Sequence, residues 1–343
     1  MFDPELIVRE NVRKLIPYSC ARDDYKGREG IFMDANENPY GTLNRYPDPY
    51  QSDLKKEISR IKGVPVEKIF LGNGSDEIID LCFRIFCNPG TDKALSFAPS
   101  YGMYGVSAAV NDITIIKVPL DNSFQIDFES VKPFLQDKNL KLILICSPNN
   151  PTGNSMDPDV VERIISSFSG IVLVDEAYID FSGHPSLIRK LDKYPNLIVM
   201  QTFSKAYGLA AARVGMAFAS PSLLLYFNKM KPPYNISSVN QRAVLKKLSD
   251  PDSVIRHVKK IRRERKRLTS RINKLKIAEE VYPSDSNFIL VRVKDADYIY
   301  NYLTDKGIIV RNRSSVVNNC LRITVGKKKE NRMLLNTLKS IEI

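Results

Sequence analysis

Three short apolar runs, each ending in a polar cluster, constrain this chain more than any bulk property does. LILIC (142–146) runs into SPNNPTG, IVLV (171–174) into DEAY, and LIVM (197–200) into QTFSK. None of them alternates apolar with polar residues, so each reads as a strand buried on both faces. Helical material lies between them, as in DPDVVERIISSF (157–168). Strand and helix in alternation predict an α/β fold with a mostly parallel central sheet. Ligands of such sheets bind just beyond the carboxyl ends of the strands. The three polar clusters, Lys205 included, therefore fall on one edge and predict one shared site. KIFL (68–71), ALSFA (94–98), ITIIKV (113–118) and VGMAFA (214–219) are further strand candidates.

A chain of 343 residues exceeds the usual size of a single core. From about residue 240 the texture changes to a long basic helix followed by NFILVRV (287–293) and CLRITVG (320–326). The expected organisation is an N-terminal arm over 1–32, a large α/β domain over 33–240 and a smaller α+β domain over 241–343.

Composition removes several classes of function. Only two histidines occur, His184 and His257, which leaves little room for a clustered zinc site or a Ser-His-Asp triad. No metal site is expected. Cysteines 20, 82, 87, 146 and 320 form no CxxC pair and read as free thiols of a reducing cytoplasm. The first residues, MFDPELIVREN, lack the apolar core of a secretory signal, and no run approaches a membrane span. The net charge of +12 gathers in RHVKKIRRERKRLTSRINKLK (256–276). Val254, Val258, Ile261, Leu268, Ile272 and Leu275 give that segment a narrow apolar stripe at helical spacing. A docked helix with a solvated basic face accounts for it, and a nucleic-acid surface is the alternative.

Four motifs carry chemistry. In LGNGSDEIIDLCFRIF (71–86), glycines precede Ser75, which would cap a helix whose free N–H groups suit a phosphate; simple capping is the plainer reading. In SPNNPTGN (147–154), two prolines and a glycine make a rigid turn that holds Asn150 at a strand end. In VDEAYIDF (174–181), Asp175 ends an apolar strand, where a carboxylate is costly without a cation or a strong donor, and Tyr178 follows three residues later. In TFSKAYGLAAARVG (202–215), Lys205 stands among small residues, with Thr202, Ser204 and Arg213 suited to a phosphate dianion. A partly desolvated lysine is a Schiff-base nucleophile and proton carrier. A ligand with an aldehyde, a phosphate, a basic ring nitrogen and a phenolic oxygen would satisfy every one of these groups. Pyridoxal 5'-phosphate has all four.

These motifs, in this order, resemble the fold-type I pyridoxal-phosphate aminotransferases, and among them the histidinol-phosphate aminotransferase family. MDANENPYG (33–41), RYPDPY (45–50), GNGSDE (72–77), SPNNPTG, VDEAYIDF, TFSKAYGLAAARVG, GIIVRN (307–312) and CLRITVG carry the resemblance over nearly the whole chain. It implies that Lys205 binds the cofactor aldehyde covalently, that Asp175 pairs with the ring nitrogen, and that Tyr178 and Asn150 contact the phenolic oxygen. It further implies that Tyr101 stacks on the ring. Gly74, Ser75, Asp76, Thr202, Ser204 and Arg213 would hold the cofactor phosphate. Tyr46 resembles a tyrosine that reaches this phosphate across a homodimer interface.

On the substrate side, the resemblance gives Arg322 the α-carboxylate of L-glutamate and the phosphate of the second substrate. Arg311 and Tyr18 are further phosphate contacts, and Asn36 lies near the substrate entry. An outward-alternating Arg322 and merely packed Tyr18 and Tyr46 are the plainer readings. The implied reaction moves the amino group between L-glutamate and imidazole-acetol phosphate. Aromatic amino-acid aminotransferases and threonine-phosphate decarboxylases share most of the motifs. One departure concerns Ala211 and Ala212, which stand where many relatives have glycine and leucine; this leaves the local backbone open.

Overall fold

The computed structural model describes residues 3–19 and 30–341. Cys20 and part of the expected N-terminal arm lie outside them. Seven strands form the larger sheet: β1 (Ile69–Asn73), β2 (Lys93–Ala98), β3 (Thr114–Pro119), β4 (Leu140–Cys146), β5 (Ile171–Asp175), β6 (Leu197–Thr202) and β7 (Val214–Phe218). Their spatial order is β1-β7-β6-β5-β4-β2-β3. Strands β3, β2, β4, β5 and β6 run parallel, whereas β7 is antiparallel to both of its neighbours, β6 and β1. A second, wholly antiparallel sheet contains β8 (Ala278–Val281), β9 (Phe288–Val293), β10 (Arg311–Asn312) and β11 (Cys320–Thr324), in the order β10-β11-β9-β8.

Helices cover the sheets. The first six are α1 (Glu10–Lys14), α2 (Ser52–Lys62), α3 (Ser75–Phe86), α4 (Met103–Val110), α5 (Phe128–Val131) and α6 (Pro158–Ser167). They are followed by α7 (Pro221–Met230), α8 (Ser238–Leu248), α9 (Pro251–Ile272), α10 (Ala296–Asp305) and α11 (Lys328–Lys339). Local chemistry starts several of them. Asp157 accepts from the Asp159 N–H ahead of α6, and Asp250 from the Ser253 N–H ahead of α9, each followed by proline at the first helical position. Helix α3 departs from expectation by one residue. Gly74 occupies its N-cap, with no side chain capping it, and Ser75 is already helical.

The central strands are buried on both faces, as their unbroken apolar runs require. From β4, Leu142, Leu144 and Cys146 share a core with Phe83, Tyr104 and Phe227 of the α3 and α4 side, whereas Leu140, Ile143 and Ile145 pack with Ile164 and Phe168 on the α6 side. Helix α9 spans two cores. Val254 and Val258 enter the larger one and Leu268 and Ile272 the smaller, with Ile261 packed against both. Among the described residues, no helix is long and apolar enough to cross a membrane.

Candidate active site

Sheet topology gathers the polar clusters. The carboxyl ends of β2, β4, β5 and β6 lie along one edge and deliver Tyr101, Asn150, Asp175 and Thr202–Lys205 there. Because β7 runs the other way, its beginning lies at that same edge, between the ends of β1 and β6. Arg213, which immediately precedes β7, is thereby placed between Gly74–Ser75 and Thr202–Ser204.

That arrangement sets a guanidinium directly against the start of α3. The guanidinium of Arg213 lies so close to Gly74 that a Cβ on the glycine would sit 2.6 Å from Nη2. A Cβ on Gly215 would meet the Ser75 nitrogen at 2.5 Å, so backbone and arginine approach only because both positions are glycine. Arg213 also pairs with Asp76 (Nη2 to Oδ2, 3.3 Å), and Tyr101 donates to the other oxygen of Asp76 at 3.2 Å. Thr202 Oγ1 accepts from the Ser204 N–H at 3.1 Å, tying the two hydroxyl residues into one turn. Ala210–Ala212 form a single 3-10 turn, and the left-handed residue is Arg213 itself (φ 50°). Ala211 needs no positive φ, so the backbone there accommodates alanine.

Asp175 is 4% exposed. Tyr104 donates to its Oδ2 at 2.8 Å and the Ala177 N–H to its Oδ1 at 3.0 Å. Burial nevertheless pushes its pKa up to about 6, against the hydrogen bonds from Tyr104 and Ala177 and the nearby Lys205 amine. Sequence reading missed Tyr104. It stands three residues after Tyr101, on the same face of the helical turn that follows β2, and that spacing was the available signal. The two rings meet edge to face at 5.5 Å between centroids.

Lys205 is exposed as a residue, but its Nζ lies in the cleft, 5.5 Å from the centroid of the Tyr178 ring. Partial burial lowers its pKa, and the Arg322 guanidinium lowers it further, opposed by Asp175 and Asp76. Tyr178 is buried against the edge of Phe288, and burial raises its pKa as well. Asn150 is buried, and its Oδ1 accepts from Arg322 Nη1, linking the two sheets. The preceding Asn149 has a different task. Fully buried, it donates to Pro99 O at 2.9 Å and Thr152 Oγ1 at 2.8 Å and so fixes the turn. The guanidinium of Arg322 stands 5.3 Å from the Phe288 ring centroid, and Arg311 is its register partner across β10 and β11.

Gly74, Ser75, Asp76, Tyr101, Asn150, Asp175, Tyr178, Thr202, Ser204, Lys205, Arg213, Arg322 and Arg311 are thus brought to one cleft. Three expected residues are not. Tyr18 lines a surface groove with Ile16, Pro49 and Tyr50, and Asn36 is an exposed left-handed residue (φ 54°). Tyr46 stacks on Tyr234 with centroids 4.4 Å apart. Among the described residues no group of three or more His, Cys, Asp and Glu side chains is arranged to hold a metal ion.

Comparison with known proteins gives a family. The model for class I and II aminotransferases matches residues 31–338. The histidinol-phosphate aminotransferase of Cytophaga hutchinsonii is 50% identical, over 99% of both chains. The chain is similar to a solved histidinol-phosphate aminotransferase of Sinorhizobium meliloti in complex with pyridoxal-5'-phosphate, with a TM-score of 0.78 and 26% identity over 89% of this chain and 88% of that one. It shares its fold with the enzyme of that name from Clostridium acetobutylicum, with a TM-score of 0.80 and 24% identity over 87% and 90% of the two chains. These likenesses, which run over nearly the whole chain, show that it belongs to the class I and II aminotransferases and, within them, to the histidinol-phosphate aminotransferase family.

Proposed function

We propose that this protein moves an amino group reversibly between L-glutamate and imidazole-acetol phosphate, giving 2-oxoglutarate and L-histidinol phosphate, with pyridoxal 5'-phosphate as cofactor. The observation that carries the proposal is the convergence of Lys205, Asp175 and the Gly74–Arg213 cradle. Each meets a different part of that cofactor. The cradle fits a phosphate because two glycines let a guanidinium and an uncapped helix start come close together, with two hydroxyl residues beside them. The buried carboxylate of Asp175, pushed up by desolvation, fits a protonated ring nitrogen, which would restore its charge. When bound, the cofactor supplies an electron sink for the charge left on the substrate carbon.

The residues of the chain do the rest. Lys205 holds the cofactor aldehyde at rest. Once released by the incoming amine, its Nζ would take the proton from the substrate Cα and deliver it to C4' of the cofactor, the reverse transfer serving the other half-reaction. Its lowered pKa keeps a larger share of the amine in the neutral, proton-accepting form. Tyr178 and Asn150 orient the phenolic oxygen, and Tyr101 covers the ring. Arg322 grips the α-carboxylate of glutamate in one half-reaction and the phosphate in the other, since a planar guanidinium donates bidentately to either anion. Arg311 adds charge to the phosphate end, whereas Tyr18 and Asn36 lie outside this chain's own cleft. The exposed apolar residues Leu15, Ile16, Tyr18, Ile31, Met33, Tyr40, Leu43 and Tyr46 support a homodimer in which Tyr46 reaches the partner's site.

Half-reactions followed by the cofactor spectrum test this. Both glutamate and histidinol phosphate should convert the aldehyde form to the amine form, and phenylalanine should do so far more slowly. Comparable rates with phenylalanine would reassign the substrate. Lys205→Ala should lose the borohydride-sensitive absorbance, and its persistence would sink the lysine assignment.

A further inference from the structure

Arg313 belongs to the same cleft although nothing in the sequence motifs singled it out. Its N–H donates to the Cys320 carbonyl at 2.8 Å, which extends the β10–β11 pairing by one residue beyond Arg311↔Arg322 and Asn312↔Leu321. Alternation then puts Arg311, Arg313 and Arg322 on one face of the sheet. Leu321 and Asn312 point the other way, Leu321 into the smaller core and Asn312 to Asp297 on α10. The shared face is the one that carries Phe288 against Tyr178, so it looks onto the cleft.

Arg292 shares this face but lies over the Tyr282 ring; the other three guanidinium groups repel one another, yet none of those three has a carboxylate partner among the described residues. Arg322 is bonded only to the neutral Asn150. The Arg313 Nε is buried without a hydrogen-bond partner, and so is the neighbouring Ser314 Oγ. The position is held firmly nonetheless, because the Arg313 carbonyl accepts from the Val316 and Val317 N–H groups, both at 2.9 Å. Burial first, then Arg322 and Arg311, lower the affinity of Arg313 for its own proton. Such a constellation is completed by an anion carrying more than one charge.

We propose that Arg313, with Ser314 beside it, is a specificity-determining residue that reads the dianionic phosphate of the phosphorylated substrate and takes no part in binding glutamate. A carboxylate offers one charge, which Arg322 alone answers. A phosphate offers up to two charges and three oxygens, enough for all three arginines. The proposal rests on the substrate reading above.

The test compares the holoenzyme with its Arg313→Gln and Arg313→Lys forms. Arg313→Gln should lower kcat/KM for histidinol phosphate roughly 10- to 100-fold through KM, the usual size of a lost charged hydrogen bond, and leave glutamate within about twofold. Arg313→Lys should recover part of the loss. A second readout needs no turnover. Inorganic phosphate should raise the Tm of the wild-type holoenzyme, whose cofactor-phosphate cradle is already filled, and should raise that of Arg313→Gln less. Equal losses for both substrates, or none for histidinol phosphate, would overturn the assignment. If the wild-type enzyme ignored histidinol phosphate while its phosphate-induced shift still required Arg313, the anion site would stand and the substrate reading would fall. If Arg313→Gln does not fold, Arg313→Lys carries both arms.

Discussion

At the scale of single residues, the chemistry follows from side chains placed where water is scarce. Asp175 is the clearest case. Its carboxyl titrates near pH 6 in the folded chain against an ordinary value of 3.8, chiefly because it is buried. Between those two values the folded state binds more protons than the unfolded one, so the group contributes a stability that falls as pH rises through that window. In the cofactor-free protein, Asp175→Asn should therefore raise Tm at pH 7.5 more than at pH 4, as calorimetry at the two pH values would read. With cofactor bound the sign should reverse, because the ring cation that Asp175 serves is lost. An unchanged difference between the two pH values would show that burial of this charge carries no cost. Asp175 and Lys205 were legible as chemistry in the sequence because a charge at the end of an apolar run demands a partner. Tyr104 was not, since a tyrosine inside a helix pattern is equally a packing residue until its hydroxyl is found on a carboxylate.

At the scale of elements, the strand runs foretold the sheet and the polar edge, but not the direction of β7. VGMAFA has the same apolar texture whichever way it runs. Only its pairing between β1 and β6 shows that Arg213 begins the strand at the edge where the others end. Gly215, at register with both Gly72 and Thr202, lies against the Gly74–Ser75 backbone, where a Cβ would come within 2.5 Å of the Ser75 nitrogen. Gly215→Ala should force the α3 start away, costing about 1–3 kcal/mol as overpacking usually does. Urea unfolding would measure the loss, and fluorescence titration should show weaker cofactor binding; normal binding in the variant would show that the cradle tolerates the shift. The basic helix offers the reverse lesson. Its stripe was read from Val254, Val258, Ile261, Leu268, Ile272 and Leu275; four of these are buried, Ile261 is half-buried and Leu275 lies past the helix end, while Arg265 is buried in the same stripe. It donates to the Ser286 carbonyl, a partner 21 residues away that no helical periodicity announces.

At the scale of the whole molecule, the site needs both sheets. Arg322 on the smaller sheet bonds Asn150 on the larger, Phe288 packs on Tyr178, and α9 is anchored in both cores. In the proposed homodimer a second chain adds Tyr46. Mixing subunits tests this directly. Tyr46→Ala and Lys205→Ala should each be weak alone, whereas dimers refolded from an equal mixture should regain about a quarter of wild-type activity, since half are hybrids with one intact site of two. No recovery, in a mixture shown by mass to contain hybrids, would place Tyr46 in its own subunit's architecture.

By itself the sequence determined the α/β class, the strand ends and the identity of the groups proposed to meet the cofactor. Buried runs and costly charges are local properties, readable one segment at a time. The tertiary structure alone decided that β7 reverses, that Tyr104 and not a cation serves Asp175 within the chain, and that Arg313 faces the cleft beside Arg311 and Arg322. Each of these depends on which distant backbone lies alongside, and pairing between segments is a property that no single segment contains.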